Sequence, residues 1–457
     1  MPLVTAAEMR SAEAAAIAAG TSARTLMERA AQGAARHIIA HHGACPVTIL
    51  AGPGNNGGDG WGVALHLADA GFAVTVAGDG RPQGEPAATM AARWTGPVVP
   101  LAEAPPAPLI VDALFGTGLA RPLPDAVQAV LDRLRGHGTV IALDIPSGLC
   151  SDTGATLGRP LAAARTISFG AAKRGHVLGA GLALCGALAV IDIGVPVVAA
   201  ASLVQPPRLA GLAHDAHKYA RGHVLVIEGA AQRGGAAGLA ALAALRAGAG
   251  LVTLVGEGGP PPALALMRRS DGEGRALLAD PRTRAVVIGP GLPDDRRGRD
   301  WLALLLAGSV PVVADAGALA LLGALPARQQ VGAPLLLTPH EGEFTRLFGP
   351  IGADRIAAVQ AAAASSGAVV LLKGPATIIA APDGRVAVNA HATPWLATAG
   401  SGDVLAGIIG ALVGQGMALF DAACVGVWLH GDAGRRGGPG LIADDLPGQL
   451  PAVLAAL

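Results

Sequence analysis

Short runs of apolar and β-branched residues, each followed by a longer alanine- or glycine-rich stretch, recur along almost the whole chain and leave few folds open. The runs fall at residues 47–51, 73–77, 109–113, 139–144, 166–169 and 188–193, and again at 224–227, 251–255, 285–288, 310–314, 335–337 and 369–372. Strands separated by helices pair in parallel through crossovers, so each series predicts one parallel α/β sheet. Residues 5–39, alanine-rich with charges at helical spacing, predict one or two helices before the first strand. Between residues 195 and 222 the alternation stops at Gln205-Pro206-Pro207-Arg208 and a polar cluster with His214, Asp215, His217, Lys218 and Arg221, which predicts a linker. Two domains are expected, 1–207 and 214–457, because 457 residues exceed the roughly 100 to 200 of one domain. Two runs around Pro382-Asp383-Gly384, at 376–381 and 385–389, predict an antiparallel edge on the second sheet. No fixed period relates the halves, so the chain reads as a fusion and not a duplication.

A composition of 52% hydrophobic and 14% charged residues supplies two large cores. Equal counts of basic and acidic residues, 33 each, create no field for nucleic acid or an anionic membrane, and neither is expected as a partner. Any anionic ligand must be held by local geometry. Cys45, Cys150, Cys185 and Cys424 are far apart and form no metal-binding spacing, which fits a reduced, cytoplasmic chain. The first residues lack the basic and apolar regions of a signal peptide. The longest uncharged stretch, 404–420, is short for a membrane span and reads as a buried helix. The histidines show no convincing metal spacing. A homo-oligomer is expected.

The first candidate site begins where the run 47–51 meets Gly52-Pro53-Gly54-Asn55-Asn56-Gly57-Gly58-Asp59-Gly60, a loop that starts a helix. Glycines let backbone approach a ligand, and a helix start aims N–H groups at an anion such as phosphate. Gly52, Gly54 and Gly57 also satisfy a dinucleotide fingerprint, with Asp79 as the matching ribose acid. Asn55, Asn56 and Asp59 fit that fingerprint poorly, because they add side-chain ligands. Asp112 ends one later run and Asp144 another; a single strand-end aspartate is usually a cap or turn former. Three acids at the carboxyl ends of neighbouring strands converge instead on the crevice of a doubly wound sheet. Lys173 and His176 follow a strand and could reach the crevice, but their glycine-flanked setting reads first as surface or loop.

The second candidate site is Thr398-Ala399-Gly400-Ser401-Gly402-Asp403, again a glycine turn into a helix. Its N–H groups can stabilise a transferring phosphoryl group, and Asp403 beside them can accept a hydroxyl proton. Asp403 could instead serve only the helix dipole, worth roughly 0.3 to 1 kcal/mol. Three more strand-end loops favour the site: Gly289-Pro290-Gly291-Leu292, Thr338-Pro339-His340-Glu341-Gly342-Glu343 and Lys373-Gly374-Pro375-Ala376-Thr377.

The motifs Gly-Pro-Gly-Asn-Asn-Gly-Gly-Asp-Gly, Asp-Ala-Leu-Phe-Gly-Thr-Gly-Leu and Leu-Asp-Ile-Pro-Ser-Gly, in this order, make residues 5–200 resemble the NAD(P)H-hydrate epimerase domain, a Rossmann-like doubly wound sheet. The resemblance implies that Asn55, Asn56, Gly57, Gly58 and Asp59, with Gly116, Thr117, Gly118, Leu119, Ala120, Arg121 and Pro122, bind the hydrated dinucleotide. It implies Asp144 as acid/base near C6 of the damaged ring, and Asn56, Asp112 and Ser147 as potassium ligands. Cys150 stands where the pattern has Asp or Asn.

Residues 214–450 resemble the NAD(P)H-hydrate dehydratase domain, a ribokinase-like α/β/α sandwich. His217-Lys218, Gly235-Ala236-Ala237, Gly-Pro-Gly-Leu, Asp315-Ala316-Gly317-Ala318-Leu319 and Gly-Ser-Gly-Asp carry that resemblance. It implies substrate contact by Ala237, Gly291, His340 and Asp403, and ADP or AMP binding by Lys373, Gly374, Pro375, Ala376, Thr377 and Gly402. ADP would phosphorylate the C6 hydroxyl with Asp403 as base, Mg2+ would neutralise the nucleotide phosphates, and Glu341 or Glu343 would hold it through water. The implied substrates are hydrated NADH and NADPH. Taken on their residues alone, the same loops also suit an NAD-dependent oxidoreductase fused to a small-molecule kinase, or a non-catalytic nucleotide-binding scaffold.

Overall fold

Both sheets form from the runs read in the sequence, and their ends show what stops a strand. The run at 139–144 ends as Thr139–Leu143 because Asp144 turns into the left-handed region, with φ 61°. The run at 310–314 narrows to Val312–Ala314, after a proline with no N–H to give the ladder. The computed structural model describes residues 1–80, 82, 84–209, 211–212, 214–229, 234–323 and 332–457. They fall into two compact units, Met1–Ser202 and Leu203–Leu457.

In the first unit the parallel strands lie in the order Val98–Val99, Ala73–Ala77, Pro46–Ala51, Leu109–Ala113, Thr139–Leu143, Arg165–Phe169, Ala187–Ile191. The chain therefore winds outward one way from Pro46–Ala51, returns, and winds the other way from Leu109–Ala113. A crevice opens where that direction reverses. Alternate residues of each strand enter opposite cores. Ile49, Val111 and Ile141 pack with the helices Ala6–Ala18, Ala23–His41 and Asn55–Asp69, whereas Leu50, Ile110 and Ala142 pack with Asp125–Leu134. Thr5 starts the first helix with a reciprocal cap to Glu8.

Short strands add what the sequence reading did not contain. Pro2–Val4 pairs antiparallel with Ala201–Leu203 and parallel with Ala172–Lys173. Two- and three-residue strands carry too little periodicity to register as a pattern.

The second unit has the same winding. Met267–Arg269, Leu251–Val255, His223–Ile227, Thr283–Ile288, Val312–Ala314, Leu335–Leu337 and Val369–Leu372 lie in that order in parallel, and Thr377–Ala380 and Val386–Asn389 follow antiparallel. The uncharged stretch at 404–420 is a buried helix, Ser401–Gly414, and its last residues begin a second one, Leu419–Gly437. Gly407 permits a close approach, since a Cβ there would stand 2.0 Å from the Ala240 carbonyl oxygen of the helix Gly234–Arg246. Among the described residues no helix is long and apolar enough to cross a membrane.

Candidate active sites

At each reversal point a glycine lets two strand-end loops touch backbone to backbone. A Cβ at Gly52 would lie 1.8 Å from the Leu114 carbonyl oxygen, and one at Gly229 would lie 1.8 Å from that of Gly291. In both units the loops after the two central strands, Pro46–Ala51 with Leu109–Ala113 and His223–Ile227 with Thr283–Ile288, thus form one continuous floor. Several glycines of the first loop serve packing: Gly58 and Gly60 face Ala87 and Ala113, leaving no room for a side chain.

On the first floor Asp112 is fully buried and accepts from the Ser147 hydroxyl at 2.6 Å, the Ser147 N–H at 2.8 Å and the Leu114 N–H at 3.3 Å. Burial pushes its carboxyl up, against the pull of these hydrogen bonds. The Asn56 amide donates to the Leu143 carbonyl at 3.3 Å, while its oxygen Oδ1 is buried without a partner. Asp79, the ribose acid of the dinucleotide fingerprint, is exposed and holds the Leu101 N–H at 2.9 Å.

Asp144 is the centre of the site. Its Oδ2 accepts the Thr117 N–H at 2.9 Å and its Oδ1 lies 2.6 Å from Lys173 Nζ. Burial alone would raise this carboxyl, but the Lys173 ammonium and the Thr117 N–H hold it below the ordinary aspartate value. Its left-handed backbone is uncommon for a residue with a side chain. The Ile167 carbonyl accepts its N–H at 2.7 Å, and His176 Nε2 lies 2.7 Å from its carbonyl oxygen.

Lys173 and His176 are therefore not the surface or loop residues expected from sequence. They are 1% and 3% exposed and pack behind Asp144. The segment Gly170-Ala171-Ala172-Lys173-Arg174-Gly175-His176 has the composition of a solvated turn, and only its long-range partners bury it. Two more acids share this electrostatic neighbourhood: Asp59, and Glu13 on the helix Ala6–Ala18. Burial first, and then the Asp144 charge, push the Asp59 carboxyl well up; Glu13 is also raised, chiefly by burial. Asn55, Arg121 and Pro122 lie exposed, whereas Gly116 sits against Asp144 and Asn56. Cys150 acts here through its backbone: its N–H donates to Ala155 and its carbonyl accepts from Gly154.

On the second floor, Asp315 is buried and accepts from Lys373 Nζ at 2.6 Å and from the Thr338 hydroxyl at 2.8 Å. A Cβ at Gly402 would lie 3.2 Å from Lys373 Nζ, so the glycine turn, Lys373 and Asp315 form one cluster. Burial, and then the Asp315 charge, raise the Asp403 carboxyl to about 6, with Lys373 opposing. Gly400, with φ 89°, turns the chain into the helix, and the Ser401 hydroxyl lies 3.1 Å from His430 Nε2. Burial lowers His430 to about 4, so it is neutral. The sequence motif around Asp315 gives it no role, and His430 carries no sequence signal, since only the fold brings it to Ser401.

The remaining second-site residues divide. Gly291 is on the floor, Ala237 is fully buried in the core, and Lys373 donates its N–H to the Pro339 carbonyl at 2.8 Å, which brings the 340 and 373 loops together. Gly374, Ala376 and Thr377 continue from Lys373 into the strand Thr377–Ala380, with Pro375 exposed. His340 caps its own helix, Glu341–Phe348, through Nδ1. Glu343 returns the cap at 2.8 Å and Glu341 pairs with Arg355 at 2.5 Å. Both acids proposed for Mg2+ are thus engaged with protein groups.

A cavity of about 340 Å³ borders this cluster, lined by Glu228, Gly238, Leu239, Arg268 and Asp444; Leu239 also faces Gly400. A larger groove of about 1090 Å³ lies at the opposite, amino-terminal ends of the strands, beside Thr283 and Val369. Ligands of open α/β sheets bind at the carboxyl ends, which favours the smaller cavity.

Comparison with known proteins covers both units. Residues 23–175 match the family model of the YjeF-related protein N-terminus, and residues 224–438 match NAD(P)H-hydrate dehydratase. The chain is 38% identical to the bifunctional NAD(P)H-hydrate repair enzyme Nnr of Moorella thermoacetica, over 90% of this chain and 88% of that one. It is 35% identical to the enzyme of the same name from Salinibacter ruber, over 99% of this chain and 96% of that one. The structure of the Bacillus subtilis ADP/ATP-dependent NAD(P)H-hydrate dehydratase, co-crystallised with ATP and Mg2+, superposes with a TM-score of 0.50 and 30% identity, covering 54% of this chain and 94% of that one. Similarity of this extent, across both units, shows that the chain belongs to the family of bifunctional NAD(P)H-hydrate repair enzymes.

Proposed function

We infer that this chain repairs hydrated NADH and NADPH, interconverting the R and S forms at C6 in its first unit and dehydrating the S form in its second. The observation that carries the reading is the presence, on one chain, of two strand-end crevices with an aspartate each in a different state. Asp144 is held ionised by Lys173, whereas Asp403 is raised to about 6, near the working pH of a general base.

In the second unit the C6 hydroxyl gives its proton to Asp403 and attacks the terminal phosphoryl group of ADP; AMP leaves. The phosphate so placed on C6 then departs with loss of a C5 proton, which restores the ring double bond. The N–H groups at Gly400 to Gly402 stabilise the charge on the phosphoryl oxygens. Lys373, Gly374, Pro375, Ala376, Thr377 and Gly402 hold the nucleotide, and Gly291 and His340 border the substrate, while Ala237 lies in the core and does not face it. Mg2+ supplies charge neutralisation on the nucleotide phosphates.

In the first unit Asp144 acts as acid/base near C6 of the ring, and residues 55–59 and 116–122 hold the dinucleotide. Asn56, Asp112 and Ser147 suit a potassium ion: they offer oxygen donors, Asn56 Oδ1 is buried without a partner, and a buried carboxylate calls for a counter-charge. Exchanging potassium for choline is expected to slow epimerisation and leave dehydration of the S form unchanged, read by following each epimer chromatographically.

The test of the whole reading is to incubate the protein with mixed hydrates, ADP and Mg2+ and to follow recovery of reduced cofactor. No recovery from either epimer overturns it. The dehydration rate also reports Asp403: a base must be ionised, so the rate is full at higher pH and falls as pH drops through about 6. An ordinary aspartate would place that limb near ~3.9. In Lys373→Met the limb moves upward, because the ammonium opposes the shift.

A further inference from the structure

Lys173 is a cation buried in a wall of protein, and each of its contacts can be named. Its Nζ reaches Asp144 Oδ1 at 2.6 Å, the Ser168 hydroxyl at 2.9 Å and the Phe169 carbonyl at 2.9 Å. Ser168 in turn donates to the Ala171 carbonyl at 2.8 Å, so its lone pair is free for the ammonium. The ammonium donates hydrogen bonds to the Ser168 and Phe169 oxygens and makes a close ion pair with Asp144, the one charged partner among the three. The short pairing of Ala172–Lys173 with Pro2–Val4 fixes the backbone from which the side chain departs.

His176 completes the arrangement from the same turn. Its Nδ1 accepts the Lys173 N–H at 3.0 Å, so the ring proton sits on Nε2, which donates to the Asp144 carbonyl. Burial lowers this histidine to about 4, so the ring is neutral and adds no second positive charge. The other charged groups facing Asp144 are the carboxyls of Asp59, from the helix Asn55–Asp69, and Glu13, from the helix Ala6–Ala18, with Arg10 beside Glu13. Among the described groups that act on Asp144, Lys173 therefore supplies the buried cation that opposes two neighbouring acids.

On the epimerase reading of this unit, we propose that Lys173 is the positioning residue of the epimerase centre: its ammonium fixes Asp144 as an immobile carboxylate, while His176 clamps the left-handed backbone beneath it. Lys173 lies behind Asp144 and does not touch the substrate. Its removal should therefore act on turnover and not on binding.

The test measures epimerisation of purified R hydrate by the full chain, above the spontaneous rate. In Lys173→Met, kcat is expected to fall by about 100-fold or more, with KM changed by less than about twofold. Dehydration of the S form by the same molecules should stay at the wild-type rate. In Lys173→Ala, ethylammonium should restore at least about tenfold of the lost rate, and tetramethylammonium, which cannot donate a hydrogen bond, should restore none. Wild-type turnover in Lys173→Met, a loss confined to KM, or a Lys173→Ala defect indifferent to ethylammonium overturns the proposal. Absence of epimerisation in the wild type would instead overturn the functional reading on which it rests.

Discussion

Asp403→Ala is expected to abolish ADP-dependent recovery of reduced cofactor from both epimers, lowering kcat by about 10² to 10⁴-fold. Among the described residues at the glycine turn the Asp403 carboxylate is the group placed to take the C6 hydroxyl proton; Asp315, whose charge acts on it, is buried and tied to Lys373 and Thr338. Both epimers fail together because the R form reaches the second site only after conversion to S. Asp403→Asn, which keeps the shape of the side chain, should fail equally. A chain with Asn at this position that repairs S hydrate at a wild-type rate would remove Asp403 from the chemistry. Recovery is read as the return of reduced-nicotinamide absorbance.

The second large effect separates the two sites. Asp144→Ala should consume the S fraction of a mixed hydrate at the wild-type rate and then stall, with the R fraction decaying only as fast as it epimerises spontaneously; the enzymatic component should fall by about 100-fold or more. Truncation also strands the Lys173 ammonium, and breaking one side of a buried pair costs about 3 to 5 kcal/mol. Asp144→Asn is the cleaner variant, since its amide oxygen can still accept from Lys173. Equal loss of both epimers in Asp144→Asn would refute the division of labour.

The strand-helix alternation was legible because the central strands are buried on both faces and read as continuous apolar runs, while an edge strand such as Ala187–Ile191 is half-buried. The reversal-point aspartates were legible for a related reason: a polar residue ending such a run has few places to go except the crevice. Lys173 and His176 were hidden, because nothing in a Gly-Ala-Ala-Lys-Arg-Gly-His turn encodes an ion pair with a residue 29 positions earlier. Asp59 reads in the sequence as a ligand for substrate, yet its carboxyl is raised by burial first and then by the charges of Asp144 and Glu13, which come from other elements. The role of Gly52 was half legible. Close backbone approach was expected there, but toward a ligand, whereas its nearest neighbour is the Leu114 carbonyl.

The helix Ser401–Gly414 carries at one end the glycine turn proposed to hold the phosphoryl group and is buried along its length. Gly407 meets the Ala240 carbonyl oxygen and Gly410 meets Val287, both too closely for a side chain to fit without displacement. A methyl group added at either position has backbone or sheet on its far side, and the helix itself is stiff. The shift must pass along the axis, about 1.5 Å per residue, to the turn that cradles the phosphoryl group. The deep face of this helix therefore works as a ruler for the active site, and substitutions one to two turns from Asp403 are tuned by fractions of an ångström.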